Sequence, residues 1–253
     1  MRTHHDGRHE NGQNFLVDRA VIATVVDLVA PTRGPILEIG PGSGALTLPL
    51  AALGRPLTAV EIDPDRVREL RRRVGPGTSV VHADFLRHRL PTGPYVLVGN
   101  LPFHLTTAVL RRVLHAGHWT DAVLLVQWEV ARRRAGVGGA TMMTAQWWPW
   151  YSFELVRRVP AAAFRPRPAV DGGLLTATRR PTPLVDARDR RRYQAFVHGV
   201  FTGRGRGVPA IVRAAHPWAR TAAWARRHGV TDGTLPRDLT AAQWADLFAS
   251  CAR

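Results

Sequence analysis

The sequence predicts an α/β fold: an open, mainly parallel sheet with helices packed on it, followed by a small helical domain. Three observations carry this. Short runs of Ile, Val and Leu alternate with helix-patterned stretches, and runs that are apolar on both faces belong to parallel strands covered on two sides. The first of them, Pro35-Ile36-Leu37-Glu38-Ile39, passes directly into Gly40-Pro41-Gly42-Ser43-Gly44 and then a helix, the arrangement by which such sheets bring backbone close to a ligand. Beyond Pro181-Thr182-Pro183 the strand signals stop, and helical patterning with arginine clusters continues to Arg253. This divides the chain into a flexible arm (1–17), a sheet domain (18–180) and a helical domain (181–253).

Taken in order, the arm is polar and carries His4, His5 and His9, which read as solvated rather than metal-binding. Asp18 to Val29 is amphipathic with Asp18 as N-cap. After the glycine loop, a helix is expected over Ala45 to Leu53 and a strand over Leu57 to Val60 that ends in Glu61-Ile62-Asp63-Pro64. Glu61 lies 21 residues after Gly40, where an acidic side chain can hold ribose hydroxyls. Arg66 to Val74 reads as a basic helix. Ser79 to His82 is the next strand and runs into Ala83-Asp84-Phe85-Leu86, where Asp84 can accept from a base amine and Phe85 can pack on a ring. Val96-Leu97-Val98 is a buried strand that Gly99 ends, and a helix with Arg111-Arg112 follows. Asp121 to Trp128 is a hydrophobic strand. Arg132-Arg133-Arg134 with Gly136 to Gly139 reads as a basic, flexible segment. Met142 to Trp150 concentrates aromatics that read as core. Tyr151 to Val159 and Gly173 to Thr178 are strands on either side of the proline-stiffened loop Phe164-Arg165-Pro166-Arg167-Pro168.

Composition narrows the function. The 253 residues are 45% hydrophobic, enough for one large core and a small accessory domain. No apolar run approaches a membrane span, and Met1 to Asp6 lacks the apolar core of a signal peptide, so a cytoplasmic protein is expected. The single cysteine, Cys251, excludes an internal disulfide and a Cys-rich zinc site, and no metal is expected. The 35 basic residues, all arginine, outnumber 19 acidic ones for a net charge of +16. That excess calls for a polyanionic partner, most economically nucleic acid bound through its phosphates.

The chemistry concentrates at Asn100-Leu101-Pro102-Phe103, on the loop at a strand's carboxyl end, where open α/β sheets carry ligands. Pro102 fixes its own φ and pushes Leu101 towards extended geometry. The Asn100 amide oxygen and the Leu101 carbonyl then form a fixed pair of acceptors beside the Phe103 ring. A flat heterocycle with an exocyclic NH2 fits: it stacks on Phe103 while the acceptors take the two amino protons. Acceptors so placed favour the pyramidal nitrogen that forms as an adenine amine attacks a methyl group.

With these residues goes a family resemblance. Gln13-Asn14-Phe15-Leu16, Glu38-Ile39-Gly40-Pro41-Gly42-Ser43-Gly44-Ala45-Leu46-Thr47, Glu61-Ile62-Asp63, Ala83-Asp84-Phe85 and Asn100-Leu101-Pro102-Phe103 stand in the order and spacing of the rRNA adenine-N6 methyltransferases. Gln127-Trp128-Glu129-Val130-Ala131, Gly138 to Trp150 and Phe164-x-Pro166-x-Pro168-x-Val170-Asp171 resemble the Erm branch of that family. The resemblance covers roughly residues 11 to 180. It implies a seven-stranded Rossmann-like class I methyltransferase domain and S-adenosylmethionine as donor. It further implies one adenine of 23S rRNA, naked or before assembly, as target, a monomeric enzyme, and resistance to macrolide, lincosamide and streptogramin B antibiotics. Carried over, Asn14, Leu16, Gly40, Glu61, Asp84 and Asn100 contact the donor, with Gly42, Gly44, Ile62 and Phe85 in the same site. Asn100 and the Leu101 carbonyl hold the target amine, and Phe103 and Phe164 stack on a flipped base. Arg132, Arg133, Arg134, Arg165 and Arg167 are the expected RNA contacts. Phe103 stands where the wider family commonly has tyrosine, which removes a hydroxyl and keeps the stacking face. A small-subunit rRNA dimethyltransferase shares the motif set. A nicotinamide-dependent oxidoreductase has no need of the Asn100 loop, and a non-catalytic RNA binder no need to keep Gly40, Glu61 and Asn100 together.

Overall fold

The structure, a computed structural model, describes residues 14–251. Gln13 and the three N-terminal histidines lie outside the described residues. Among the described residues there are nine strands: β1 (Phe15–Leu16), β2 (Ile36–Ile39), β3 (Leu57–Glu61), β4 (Thr78–His82), β5 (Tyr95–Asn100), β6 (Trp119–Gln127), β7 (Tyr151–Val159), β8 (Phe164–Arg165) and β9 (Gly172–Arg179). Seven of them form one sheet in the order β4-β3-β2-β5-β6-β9-β7, as the class I methyltransferase expectation requires, and β1 pairs with β8 separately. From β4 to β6 the pairing is parallel. The strands after β2 are laid down on one side of it, and the chain then returns to place β5 on the other. The order therefore reverses between β2 and β5, and a crevice at their carboxyl ends is the place where such sheets bind ligands.

The helix Arg19–Val29 starts as expected, with the Asp18 carboxylate accepting from the Ala20 and Val21 amides. Its buried residues Val21, Val25 and Val29 recur every four positions and pack with Ile36, Leu57, Val96 and Val98 in one core. The helix after the glycine loop is shorter than expected, Thr47–Ala51, because turns occupy the chain through Leu46. Asp63 caps the helix Pro64–Arg71, with Pro64 at its first position, where a missing N–H costs nothing.

The expected arm needs a correction at its end. Phe15 and Leu16 pair with Arg165 and Phe164, and the Val17 and Asp18 amides both reach the Ala163 carbonyl. The chain from residue 14 is thus tied to the sheet domain through backbone bonds that no local pattern announces.

Two compact units result, and they interleave along the chain: one runs to Ala131 and adds Leu155–Ala177, the other joins Arg132–Glu154 to Thr178 onward. Residues 132–154, which the sequence reading places in the sheet domain, cluster with the C-terminal helices. In that second unit Trp147, Trp150, Tyr193, Phe196, Trp244 and Phe248 are buried, so the tryptophan-rich stretch is core. Its rings meet edge to face, Trp150 on Tyr193 at 5.5 Å and Tyr193 on Phe248 at 5.3 Å, and the Tyr193 hydroxyl donates to the Ala145 carbonyl. No helix among the described residues is long and apolar enough to cross a membrane.

Candidate active site

A cleft opens at the β2/β5 switch point, walled by three segments. One is Asn14 to Leu16. The second is the glycine loop Gly40 to Ser43 with Ala45 and Leu46, and the third is Asn100 to Phe103. Glu38 and Glu61 reach it from β2 and β3. Gly40 and Gly42 have φ of +62° and +54°, a region L side chains rarely enter. Their surroundings differ: a Cβ on Gly42 would lie 2.9 Å from the Phe15 ring, whereas nothing stands within 4 Å of one on Gly40.

The two carboxylates are buried for different reasons. Glu61 is 2% exposed and works as a clasp. Its Oε2 accepts from the Gly42 amide at 2.9 Å, and its Oε1 accepts from the Ile62 and Asp63 amides at 2.8 and 3.0 Å. Three of a carboxylate's roughly four acceptor positions are filled, so about one is left for a ribose hydroxyl. Glu38 sits mid-strand among apolar neighbours, and its Oε2 has no hydrogen-bond partner among the described residues. Burial first, and the Glu61 charge after it, push its carboxyl up to about 8, with the Thr47 hydroxyl acting the other way.

The Asn100 loop is held at both ends. The Leu101 amide donates to the Leu125 carbonyl at 2.9 Å, which prolongs the β5/β6 ladder, and the Pro102 carbonyl accepts from the Leu105 amide where the helix Thr106–His115 begins. The Asn100 Nδ2 donates to the Asn14 carbonyl at 2.7 Å. A carbonyl can only accept, so this contact fixes which way the amide points and leaves Oδ1 as an acceptor on a cleft-lining side chain. The Leu101 carbonyl accepts nothing among the described residues. Phe103 is half-buried beside them, its ring meeting Phe164 edge-on at 6.4 Å.

The ribosomal RNA adenine dimethylase family matches residues 4–253 of this sequence, nearly its full length. The chain belongs to that family. Among its relatives, an rRNA adenine N-6-methyltransferase of Corynebacterium diphtheriae is 58% identical over 214 residues, covering 84% of this chain and 85% of the relative. The mycinamicin-resistance protein MyrB of Micromonospora griseorubida is 51% identical over 243 residues, 96% of this chain and 78% of its own. The crystal structure of the 23S rRNA methyltransferase ErmE superposes with a TM-score of 0.87 at 35% identity, covering 94% of this chain and 99% of that one. This protein is an S-adenosylmethionine-dependent rRNA adenine-N6 methyltransferase.

The cleft suits that donor. Two buried carboxyls, one with an orphaned oxygen, and a ring of carbonyl and amide acceptors favour a cation that carries hydroxyls, and the space beside Gly40 lets its backbone approach. Of the expected donor residues, Asn14, Leu16, Gly40, Gly42, Glu61 and Asn100 line the cleft. Four do not. Gly44 is needed for packing, since a Cβ there would meet Leu70 at 2.6 Å. Ile62 is exposed at the tip of β3. Asp84 accepts from the Leu86 amide at 2.8 Å as a turn cap, and Phe85 is buried with Arg112 over its ring. Phe15 and Glu38 line the cleft and were not singled out. An acidic residue inside the apolar run Ile36–Ile39 is the signal that marks Glu38.

Two expectations need correction. Phe164 is fully buried in the core, so it has no face to offer a base and supports Phe103 from its edge. Arg134 is 6% exposed, with its guanidinium at 3.3 Å from the Thr141 and Thr144 hydroxyls, and burial lowers it to about 10. It is a structural cation of the second unit and not an RNA contact. Arg133, Arg165 and Arg167 are exposed, and Arg132 is partly so. Among the described residues no group of acidic, His and Cys side chains is arranged to hold a metal.

Proposed function

We propose that this enzyme methylates the N6 amine of one adenine in 23S rRNA and thereby confers resistance to macrolide, lincosamide and streptogramin B antibiotics. The observation that carries the mechanism is the Asn100–Asn14 hydrogen bond, which presets the Asn100 side-chain oxygen as an acceptor on the residue next to the Leu101 carbonyl. The resistance function of MyrB and the 23S rRNA activity of ErmE support the substrate.

An adenine amine is a poor nucleophile because its lone pair is delocalised into the ring. The two acceptors hold its two protons out of the ring plane and so localise that pair on nitrogen. They are set before the reaction, so no reorganisation opposes it. Pro102 stiffens the loop, and Phe103 offers a stacking face to a base turned out of its helix, an extrusion that costs a few kcal/mol. Bound S-adenosylmethionine supplies a methyl group on a positively charged sulfur. Asn14, Leu16, Gly40, Gly42, Glu61 and Asn100 would hold it, with Gly44 shaping the loop, while Ile62, Asp84 and Phe85, outside the cleft, would support the strand ends beside it. The proton on the methylated nitrogen leaves to water, so no side-chain base is required. Exposed Arg133, Arg165 and Arg167, with Arg132, serve the RNA backbone. The enzyme works as a monomer in the cytoplasm on naked or pre-assembly rRNA.

The test is to incubate naked 23S and 16S rRNA separately with enzyme and donor and map every methylated adenine. A single modified adenine in the peptidyl-transferase loop is expected. Modification confined to 16S rRNA would assign the enzyme to small-subunit maturation, and none on either would reject the reading.

A further inference from the structure

A second cavity lies past the end of β6, and nothing in the reaction above uses it. It encloses about 420 Å³ and is lined by Gln127, Trp128, Glu129, Arg158 and Val170 to Asp171 among others, within the size range of small-molecule sites. We propose that it binds the nucleotide that flanks the target adenosine, with the base against Trp128 and the phosphate on Arg158. This deepens the methyltransferase reading and rests on it.

The site is built rather than incidental. Trp128 is partly exposed, its amide donates to the Asp171 carbonyl at 2.9 Å, and a Cβ on Gly173 would lie 3.4 Å from its ring edge, so the indole is held along that edge. The Arg158 guanidinium lies over the indole, its carbon 5.3 Å from the centroid, so the arginine takes one face of the ring and the base takes the other. Its Nε donates to Asp171 Oδ2 at 2.7 Å, while Asp171 Oδ1 accepts from the Ala161 amide at 2.8 Å. Arg158 is therefore pinned at one nitrogen although its side chain is 61% exposed. Its two terminal amino groups donate to nothing among the described residues. An aromatic face with a pre-oriented guanidinium is what a single-stranded nucleotide needs, a stacking platform beside a bidentate phosphate donor. The Gln127 carboxamide adds a donor and an acceptor for a base edge.

Location ties the cavity to the target site. The Leu101 amide bonds the Leu125 carbonyl, and Trp128 stands three residues further along, about 10 Å at ~3.3 Å per residue. The two sites also share a wall. Gly172, next to Asp171, backs on Phe164, where a Cβ would come within 3.2 Å of the ring, and Phe164 in turn meets Phe103. A base extruded onto Phe103 leaves its chain neighbour unstacked at this distance, and the cavity gives that neighbour a new surface.

The test is a coupling measurement on hairpin RNAs that carry the target adenine, with the nucleotide on its 5′ or 3′ side made abasic. Methylation is followed at saturating donor and sub-saturating RNA. In the unmodified enzyme, loss of the base on one side should lower kcat/KM about 10- to 100-fold, the scale of one stacked base. Trp128→Leu should lower it similarly on intact RNA, and the abasic change should then add less than twofold. Donor affinity by calorimetry should be unchanged and verifies the fold. Should Trp128→Leu not fold, Arg158→Gln takes its place, with the salt slope of RNA binding expected to fall by about 1. Undiminished abasic penalties in the variant, or no penalty on either side in the unmodified enzyme, overturn the proposal while leaving the methyltransferase reading intact. Failure of the unmodified enzyme to methylate hairpin or whole rRNA removes both.

Discussion

Glu38→Gln separates the chemistry of the cleft from its shape. In the folded protein this carboxyl is raised from 4.5 to about 8, and the unfolded chain returns it to its ordinary value. Between those limits the folded state holds a proton that the unfolded state has released, so stability falls as pH rises. The favourable contribution is complete below about pH 4.5, declines by ~1.4 kcal/mol per pH unit and is gone above about pH 8. From pH 5 to pH 8 the loss is about 4 kcal/mol, a large share of the ~5–15 kcal/mol that holds a domain folded. Glutamine copies the protonated carboxyl in size and hydrogen bonding and cannot ionise. Urea unfolding of the donor-free protein at pH 5, 6, 7 and 8 should therefore show the unmodified protein weakening relative to Glu38→Gln by about 4 kcal/mol across the range. A cation in the cleft favours the ionised form, so donor binding at pH 7 should also release a proton. Calorimetry in buffers of different ionisation enthalpy would detect it, and Glu38→Gln should abolish it. Parallel stability curves for the two proteins would refute the reasoning, because they would place Glu38 in water or beside a cation.

Asn100→Ala removes one acceptor and leaves Phe103, so RNA affinity should hold while the single-turnover rate at saturating donor and RNA falls roughly 100-fold or more. Phe103→Ala should instead weaken RNA binding by about 1–3 kcal/mol, read by filter binding or anisotropy. Glu61→Ala strands the Gly42, Ile62 and Asp63 amides; it should lose about 1–3 kcal/mol both in donor affinity by calorimetry and in stability by urea unfolding. Arg134→Ala should destabilise the protein by about 1–3 kcal/mol through its lost hydroxyl contacts without changing the salt slope of RNA binding, whereas Arg133→Ala should lower that slope by about 1.

What the sequence made legible follows from distance along the chain. Strands, the glycine loop and the Asn100 loop are local patterns, and each was readable where a breaker met an apolar run. The Asn14–Asn100 hydrogen bond spans 86 residues, and no local pattern encodes it; family spacing pointed to both residues but not to their contact. Arg134 stands in a run of three arginines that reads as a basic segment suited to an RNA backbone. Once Trp128–Arg134 is a helix, Arg134 falls three residues after the buried Ala131 and shares its inward side. Phe164 owed its expected stacking role to the family resemblance, and its proline-stiffened neighbourhood reads as a loop, yet β8 is held against β1 and takes the ring inside. Domain limits were hardest, since the boundary in space crosses the chain more than once.

Burying Phe164 gives it more influence on the reaction than a stacking ring at the surface would have. Its backbone pairs with Leu16, which sets the path of the N-terminal segment, and the segment's Asn14 carbonyl orients the Asn100 amide. Its side chain meets Phe103 at 6.4 Å and fills the space in front of Gly172. On the proposed mechanism, one residue therefore joins the three parts that must agree for methyl transfer: the donor-side segment, the acceptor pair and the stacking face. A rigid core places such parts more accurately than loops resting on solvent, because a packed interior resists displacement of even one methylene. The charge distribution follows the same division. The cleft's centre carries two buried carboxyls in a chain of net charge +16, and a cationic donor beside them would favour ionisation of Glu38. On the proposed mechanism, the polyanionic substrate stays with exposed arginines and enters the cleft only as a neutral base, which the acidic interior does not repel.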